Sequence, residues 1–237
     1  MKTVVIGDIH GRNIWKIIIE REKPNRVIFI GDYFDSFNIE RIFQIHNFKE
    51  IIQFKINNPH IEVILLIGNH DFHYFPEIGD RSISGFQGAI PSIQINHVIN
   101  ENRHHLQMAY MFDNILFTHA GVSEIWLTDN NWQGEPIDEY VNDVWKYKPL
   151  KFSFNGTEPY GDNVYQTPIW IRPRSLMKIN RKNFRKKYIQ VVGHTHVERI
   201  DIKGKATGGR YYFIDALTDK GGEYLIIENG VFTSVKV

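Results

Sequence analysis

Seven side chains that could bind metal ions occur in five short blocks of the sequence, and each block contains a glycine. The blocks are GDIHG (7–11), GDYFD (31–35), GNHD (68–71), THAG (118–121) and GHTH (193–196), and the candidate ligands are Asp8, His10, Asp32, Asn69, His119, His194 and His196. Any one of these residues alone has a simpler explanation, such as a cap, a turn residue or an exposed histidine. Their repetition has little structural purpose and indicates one shared site.

The number and type of these ligands favour two cations rather than one. Seven ligands are too many for a single ion, and they suit a pair held roughly 3.5 to 4 Å apart, as in two-metal hydrolytic sites. Mixed imidazole and carboxylate ligands favour transition metals over Ca or Mg. We expect two divalent ions, Mn first, with Fe, Zn, Co or Ni as alternatives. The glycines would let the backbone turn sharply beside the ions.

The elements that must position these blocks are short strands. Each block ends or follows a run rich in β-branched or aromatic residues, and these runs span 3–8, 26–32, 62–71, 114–121 and 188–196. Continuous apolar runs of this length predict strands covered on both faces. Helical spacing in 13–23, with Ile14, Ile17 and Ile18 on one side, and in 39–56 predicts helices between the first three strands. Such βαβ sheets bind ligands at the carboxyl ends of their strands.

The last third of the chain has a different pattern. Residues 200–216 and 223–237 are typical of hairpins, with turns at Gly208-Gly209 and Asn229-Gly230. They predict a second, more antiparallel sheet packed on the first. Residues 80–105 and 149–187 fit no regular element, and we expect them to be excursions that frame the site of a single domain, 1–237.

Composition restricts the classes of partner and compartment. The 237 residues are 42% hydrophobic, enough for the core of one domain. The 28 basic and 27 acidic residues nearly cancel, which argues against nucleic acid as a partner without excluding it. The absence of cysteine excludes disulfides and thiolate ligands and fits a reducing compartment. The sequence has neither a signal peptide nor an apolar run of about 18 to 20 residues, so we expect a cytoplasmic protein with no membrane segment.

The five blocks, in this order, closely resemble the motifs of the calcineurin-like metallophosphoesterases: GDxHG, GDxxD, GNH(D/E), a lone histidine and GHxH. The resemblance covers residues 7 to 196. It implies an α/β fold, a four-layer α/β/β/α sandwich of two mixed sheets flanked by helices, with a dinuclear metal centre. One ion would be held by Asp8, His10, Asp32 and His196; Asp32 would bridge to the second, completed by Asn69, His119 and His194.

The resemblance also implies how phosphoesters would be hydrolysed. The two cations would polarise the phosphoryl oxygens and lower the pKa of a bridging water toward about 7, giving a metal-bridging hydroxide as the nucleophile. His70, which is not a ligand, would protonate the leaving group, a role worth about 10² to 10⁴ in rate. Asp35 would orient His70. We expect His73, three residues further along, to have a structural role only.

Two segments resemble the protein-phosphatase-like branch of this family, which includes serine/threonine phosphatases and symmetrical diadenosine tetraphosphate hydrolases. They are HAGVSEIW (119–126) and IWIRPRS (169–175). In the second, Arg172 would bind the substrate phosphate, since guanidinium pairs bidentately with phosphate oxygens; the alternative is a surface arginine. The branch usually continues its second motif as GDxxDRG, whereas Ser36 and Phe37 follow Asp35 here. Arg12 or Arg172 would have to supply the missing charge.

These observations predict a metal-dependent phosphoric ester hydrolase, of the serine/threonine protein phosphatase type of phosphomonoesterase. Its substrate would be a phosphoprotein, a nucleotide or a small phosphoester. The alternatives are a dinucleoside polyphosphate hydrolase, a phosphodiesterase or nuclease, and a non-catalytic metal-binding scaffold. The basic run 172–187 could be a lid over polyphosphate or an acidic peptide, a groove for nucleic acid, or a solvated helix with Leu176, Ile179 and Phe184 packed inward.

Overall fold

The computed structural model describes residues 1–78, 85–156, 162–180, 182–203 and 210–237. Its strands form two mixed sheets. The first comprises β1 (Lys2–Ile6), β2 (Arg26–Phe29), β3 (Glu62–Leu66), β4 (Leu106–Gln107), β10 (Leu217–Thr218), β11 (Gly221–Glu228) and β12 (Val231–Lys236). The second comprises β5 (Ala109–Phe112), β6 (Ile115–Thr118), β7 (Ile189–Val192), β8 (Asp201–Lys203) and β9 (Arg210–Phe213). The strand order is β10-β11-β1-β2-β3-β4 in the first sheet, with β12 also paired to β11, and β5-β6-β7-β9-β8 in the second.

Parallel pairing brings the ends of the central strands to common edges. Strands β1 to β4 run parallel to one another in the first sheet, as do β6, β7 and β9 in the second. In the second sheet, the edge strands β5 and β8 pair antiparallel with β6 and β9. In the first sheet, β11 pairs antiparallel with β1, β10 and β12. The carboxyl ends of β1, β2 and β3 therefore meet at one edge, and those of β6 and β7 meet at another.

Helices cover the sheets and connect their strands. They are α1 (Ile14–Glu22), α2 (Arg41–Asn57), α3 (Asn69–Phe72), α4 (Ala89–Glu101), α5 (Glu124–Asp129), α6 (Ile137–Tyr147), α7 (Pro173–Ile179) and α8 (Lys182–Lys187), together with 3₁₀ turns at Arg103–His105 and Pro149–Phe152. None of the helices within the described ranges is long and apolar enough to span a bilayer.

The hydrophobic core has layers because strand side chains alternate in direction. In β1, Val5 faces the second sheet and joins a buried cluster that includes Phe117 and Val191. Its neighbours Val4 and Ile6 face the opposite way and pack in the cluster that contains residues of α1 and α2. On the outer face of the second sheet, Leu176 of α7 packs with residues of β7 and β9. The predicted architecture of two mixed sheets flanked by helices is confirmed.

The C-terminal hairpin differs from the expectation. Strands β11 and β12 form the predicted hairpin, with Asn229 and Gly230 both at positive φ, 52° and 75°. The hairpin belongs to the first sheet, however, because β11 pairs with β1 from Val5 opposite Leu225 to Lys2 opposite Glu228. A hairpin pattern in the sequence predicts only that its two strands pair with each other. Which further strand they pair with depends on the burial of their apolar side chains. The predicted turn at Gly208-Gly209 lies outside the described residues.

Two predictions about helices are also corrected. The buried face of α1 is formed by Trp15, Ile18 and Ile19, whereas Ile17 is 53% exposed. Residues three and four positions apart share a helix face, and Ile17 falls outside that set. In the segment predicted to be irregular, α4 is a helix whose buried Ile95, Val98 and Ile99 have this same spacing.

Candidate metal centre

All seven predicted ligands lie just after the carboxyl ends of five strands. Asp8 and His10 follow β1, Asp32 follows β2, Asn69 begins α3 after β3, His119 follows β6, and His194 and His196 follow β7. Five of them are buried, whereas His10 is partly exposed and His196 is exposed. Burial of this many polar side chains costs free energy unless each has a partner, so their contacts decide what the site can bind.

Asn69, His119 and His194 come together in one group. Asn69 Oδ1 lies 2.9 Å from His119 Nε2 and 2.8 Å from His194 Nδ1. His119 Nε2 is also 3.4 Å from Asp32 Oδ2. These four side chains are the ones that the sequence assigned to the second cation, and the structure places them side by side.

Asp32 also faces the residues predicted to hold the first cation. His10 Nε2 lies 3.8 Å from Asp32 Oδ2. Candidate ligand atoms of Asp8, Asp32 and His119 all lie within 4.8 Å of one another, a spacing that could hold a metal ion. Asp32 therefore stands between the two groups, as a bridging ligand would.

Backbone carbonyls accept a hydrogen bond from one ring nitrogen in each of three predicted ligands, His10, His119 and His194. His10 Nδ1 lies 2.6 Å from Phe34 O, His119 Nδ1 2.9 Å from Ile30 O, and His194 Nε2 3.0 Å from Trp170 O. A carbonyl oxygen only accepts hydrogen bonds, so each of these nitrogens carries the hydrogen. In the neutral form of each ring, the other nitrogen then presents a lone pair to the cluster, as a metal ligand must.

The residues present therefore fit a cation. Asn69 Oδ1 faces one ring nitrogen of His119 and one of His194 at 2.9 and 2.8 Å. When both rings are neutral, the amide oxygen faces a lone pair on each of them, and these contacts are repulsive unless a positive charge lies between the atoms. The donor set of carboxylate, amide oxygen and imidazole suits a divalent transition metal.

The pKa values of these groups agree with a site for cations. Burial, followed by the charges of Asp215 and Asp32, raises the pKa of Asp8 well above its usual value. Burial lowers the pKa of His10 to about 4 and lowers that of His194 strongly. Burial alone would raise the pKa of Asp32, but His119 and His70 outweigh it and hold this pKa well below its usual value. His10 and His194 are thus neutral near pH 7, the form that binds metal.

Two glycines make room for the carboxylates. A Cβ atom on Gly68 would lie 2.0 Å from Asp32 Oδ1, and one on Gly193 would lie 2.1 Å from Asp8 Oδ1. Both contacts are far inside van der Waals distance, so a larger residue at either position would displace a predicted ligand. This close approach is the physical reason for glycine in the third and fifth blocks.

Four predicted site residues have a left-handed backbone. The φ angles are 43° for His10, 53° for Asp32, 61° for Asp35 and 65° for His194. Such angles are unusual for residues with a side chain and cluster at functional sites. The chain turns at His10, whose N–H donates a 2.7 Å hydrogen bond to Asp32 O.

His196 differs from the other predicted ligands because its side chain is exposed. Within the described ranges, no hydrogen bond or ion pair joins it to the other six. Its charge does act on Asp215, a buried residue whose pKa burial raises to about 6. The structure therefore places His196 at the margin of the site, and its role as a ligand stays a prediction.

The predicted proton donor lies beside the cluster. The backbone N–H of His70 donates to Asp32 Oδ1 at 2.9 Å, and His70 Nδ1 lies 3.1 Å from Asp35 Oδ2. The rings of His70 and His10 meet edge to face with centroids 5.1 Å apart. Burial lowers the pKa of His70, but the carboxylates of Asp32 and Asp35 outweigh it and raise this pKa to about 9. His70 can therefore hold a proton at neutral pH.

Both predicted phosphate-binding arginines lie next to the ligands. Arg172 Nη1 donates to His194 O and to Thr195 Oγ1, each at 3.1 Å. Arg12 Nη1 donates to Asp8 O at 3.2 Å, and its Nε donates to Asp219 Oδ1 at 2.9 Å. Each guanidinium is thus held by the backbone of a different predicted ligand, which places two positive charges at the site.

Sequence reasoning missed two acidic residues at the site and the contact between His73 and Asp35. Asp71 accepts the backbone N–H groups of Asp32, Tyr33 and Gly68 at 2.8 to 2.9 Å, and Asp215 is buried near Asp8. His73 Nε2 lies 2.8 Å from Asp35 Oδ2, the same oxygen that faces His70. The spacing of two histidines three apart on a short helix was a usable signal for His73. The polar block GNHD contained the signal for Asp71.

Comparisons with known proteins agree with this geometry. A family model described as calcineurin-like phosphoesterase matches residues 1–198. A structure titled as a cold-active protein tyrosine phosphatase is 18% identical, with a TM-score of 0.68 over 99% of this chain and 78% of that chain. A metallophosphoesterase from Sphaerobacter thermophilus is 14% identical, with a TM-score of 0.53 over 100% of this chain and 88% of that chain. A search among curated proteins found no match.

At such identities the two structures show a shared fold and nothing about substrate. The family model carries more weight, because it spans most of the chain, including all five blocks. Members of this family use divalent metal ions and act on phosphorylated substrates. The chain belongs to the calcineurin-like phosphoesterase family and is a metal-dependent phosphoester hydrolase.

Proposed function

We propose that this protein is a dinuclear phosphomonoesterase of the protein phosphatase type. The observation that carries the proposal is the position of Asp32 between two groups of ligand atoms, with the His70–Asp35 pair attached to it through the hydrogen bond from His70 N to Asp32 Oδ1. Ligands for two cations and a proton donor thus share one carboxylate.

The proposal assigns the ligands as follows. Asp8, His10, Asp32 and His196 hold one cation, while Asp32, Asn69, His119 and His194 hold the other. We propose manganese, which matches a mixed set of carboxylate, amide and imidazole ligands. When bound, the two cations supply Lewis acidity and lower the pKa of water at the site. The remaining chemistry belongs to the side chains around them.

His70 acts as the general acid. Its Nδ1 faces Asp35, so Nε2 carries the proton for the leaving group. A hydroxide derived from water bonds to phosphorus as the bond between phosphorus and the leaving oxygen breaks, and the leaving oxygen keeps the electron pair and takes this proton. The imidazole becomes neutral and recovers a proton from water after the product leaves.

Arg172 and Arg12 bind the phosphate. A monoester dianion carries one more negative charge than a diester, and two guanidinium groups held at the site favour the dianion. These two arginines are the reason to propose a monoesterase rather than a diesterase. The name of one structural neighbour, a protein tyrosine phosphatase, adds phosphotyrosine to phosphoserine and phosphothreonine among the substrates to test.

The test compares substrates side by side on the protein loaded with Mn²⁺. The substrates are p-nitrophenyl phosphate, its bis ester, peptides with phosphoserine, phosphothreonine or phosphotyrosine, and diadenosine tetraphosphate. We expect the monoesters to be cleaved with the highest kcat/KM and the metal content to be about two ions per chain. Faster cleavage of the bis ester or of diadenosine tetraphosphate would show that the monoesterase assignment is wrong.

A matched pair of variants separates site chemistry from folding. His119→Ala removes a buried predicted ligand, whereas His60→Ala removes an exposed histidine from the loop before β3. We expect activity to be lost only in the first. Full phosphoesterase activity in His119→Ala, with normal metal content, would contradict the proposed centre.

A further inference from the structure

The carboxylate of Asp35 is buried and is contacted on both of its oxygens. Oδ2 faces the two histidines of α3 and its C-cap, His70 at 3.1 Å and His73 at 2.8 Å. Oδ1 accepts a 2.5 Å hydrogen bond from the Tyr74 hydroxyl and a 3.1 Å hydrogen bond from Gln87 Nε2. The predicted role of Asp35, to orient the proton donor His70, uses only its contact with that residue. The other three contacts of the carboxylate need a separate explanation.

Tyr74 and Gln87 are themselves linked. The backbone N–H of Gln87 donates to the Tyr74 hydroxyl oxygen at 3.3 Å, which leaves the hydroxyl hydrogen for Asp35. Gln87 Nε2 also lies 3.1 Å from Gln44 Oε1, and Gln44 Nε2 donates to Ile39 O at 2.5 Å. The network therefore connects Asp35 to the loop that follows it and to α2.

Packing restricts the movement of the Tyr74 side chain. Tyr74 is fully buried, and its ring packs against Phe34 and Phe86 with centroids 5.8 and 5.5 Å away. A Cβ atom on Gly85 would lie 3.3 Å from His70 Cε1 and 3.6 Å from Asp35 Cβ. The segment 85–88 thus lies directly against the His70–Asp35 pair, and it belongs to the excursion that the sequence predicted would frame the site.

We propose that Tyr74 and Gln87 are positioning residues for the proton donor. They hold Asp35 through Oδ1, and Asp35 holds His70 through Oδ2, so that His70 Nε2 stays directed toward the leaving oxygen. This inference rests on the proposed function, because it assigns the two residues to the general acid step. A carboxylate held by hydrogen bonds on both oxygens keeps one orientation, and general acid catalysis depends on that orientation.

The test uses Tyr74→Phe, which removes the hydroxyl and keeps the ring. Two phosphomonoesters that differ in their leaving group are compared on the Mn²⁺-loaded full chain: p-nitrophenyl phosphate, whose leaving group needs no proton, and a phosphoserine peptide, whose alkoxide does. We expect kcat for the phosphoserine peptide to fall by about 10-fold or more, within the range attributable to a general acid. We expect kcat for p-nitrophenyl phosphate to change less than about 2-fold, with KM unchanged for both.

The matched control is Tyr224→Phe. The Tyr224 hydroxyl donates a hydrogen bond of the same length, 2.5 Å, to a different carboxylate, that of Glu22. Loss of the Tyr224 hydroxyl should change kcat for neither substrate. Gln87→Ala is a second variant, which removes a donor to the same oxygen of Asp35 and leaves the aromatic packing intact. As in Tyr74→Phe, kcat should fall for the phosphoserine peptide and change little for p-nitrophenyl phosphate. Thermal unfolding and metal content verify that each variant is folded and loaded.

A measurement without metal or substrate gives an independent readout. In the metal-free protein, the Nδ1 proton of His70 should give a downfield NMR signal, assigned by its absence in His70→Ala. We expect this signal to shift in Tyr74→Phe and to stay in place in Tyr224→Phe.

The outcomes distinguish the inference from the proposed function. An equal loss for both leaving groups, or an unchanged rate and an unchanged His70 signal in Tyr74→Phe and Gln87→Ala, would overturn the positioning role while the phosphatase assignment stands. An unmodified protein that binds Mn²⁺ and cleaves no phosphomonoester would overturn the proposed function and the inference together.

Discussion

Asp71 accepts the backbone N–H of Asp32 in a 2.8 Å hydrogen bond, so one buried carboxylate holds the backbone of another. The same Asp71 oxygen accepts the N–H of Gly68 at 2.9 Å, and its second oxygen accepts that of Tyr33 at 2.8 Å. These three bonds connect the loop after β2 to the loop after β3. They hold Asp32 in its left-handed conformation, in which it can face ligands from both sheets.

We therefore expect Asp71→Asn to weaken metal binding although Asp71 is not a ligand. The amide nitrogen of asparagine would face backbone N–H groups and could not accept from them, so the loop carrying Asp32 would move. Loss of an outer hydrogen bond to a metal ligand typically lowers affinity or activity about 10- to 100-fold. Titration calorimetry with Mn²⁺ measures this. Asp129→Asn, at an exposed position, is the control, and equal affinities in the two variants would contradict the argument.

The arrangement of ligands also predicts how many ions each variant holds. Asn69, His119 and His194 lie together on one side of Asp32, whereas Asp8 and His10 follow β1. Asn69→Ala should therefore remove one cation and leave the other, so that metal content falls from about two ions per chain to about one. Mass spectrometry of the dialysed protein gives the count. Retention of both ions would show that Asn69 is not a ligand.

Much of this site could be predicted from the sequence because it is built from local patterns. An apolar run followed by a short polar block that contains glycine and Asp, Asn or His indicates a strand and the turn after it, and parallel strands bring such turns together. Asp8, Asp32 and Asn69 follow this rule in the first sheet, and His119 and His194 follow it in the second. Their convergence could therefore be predicted from the strand order and the positions of these blocks.

The remaining features depend on contacts that no local pattern encodes. Tyr74 and Gln87 reach Asp35 across 39 and 52 residues of chain, and neither has a motif around it. The pairing of β11 with β1 likewise joins the two ends of the sequence. Burial decides this pairing of strands, since β1 and β11 have apolar residues on both faces that must be covered.

Arg172 provides a prediction about substrate binding. Its Nη1 is attached to His194 O and Thr195 Oγ1, so the guanidinium is held beside the ligands. Hydrogen bonds to charged groups contribute about 1.5 to 3 kcal/mol, which corresponds to a roughly 10- to 150-fold rise in KM for a phosphomonoester in Arg172→Ala. Arg172→Lys keeps the positive charge and should therefore recover part of the lost affinity for phosphate. The recovery should be incomplete, because lysine cannot pair with two phosphate oxygens at once. Steady-state kinetics at constant metal content tests both variants, and an unchanged KM in Arg172→Ala would place phosphate binding elsewhere.

Binding of cations should release protons, with a dependence on pH that follows from the buried acids. Burial and the charges of Asp215 and Asp32 raise the pKa of Asp8, and burial raises the pKa of Asp215 to about 6. In the metal-free protein Asp215 therefore binds a proton near and below pH 6, Asp8 holds its proton more tightly than an exposed aspartate does, and an arriving cation must displace these protons. His10, with a pKa of about 4, is already neutral near pH 6 and contributes little. The affinity for Mn²⁺ should rise as the pH rises through about 6, where Asp215 loses its proton. Calorimetry in buffers of different ionisation enthalpy measures the number of protons released on binding. Asp215→Asn should reduce this number, because it removes one titrating group and the negative charge that repels Asp8. An affinity that stays constant between about pH 5 and 8 would contradict the raised pKa values.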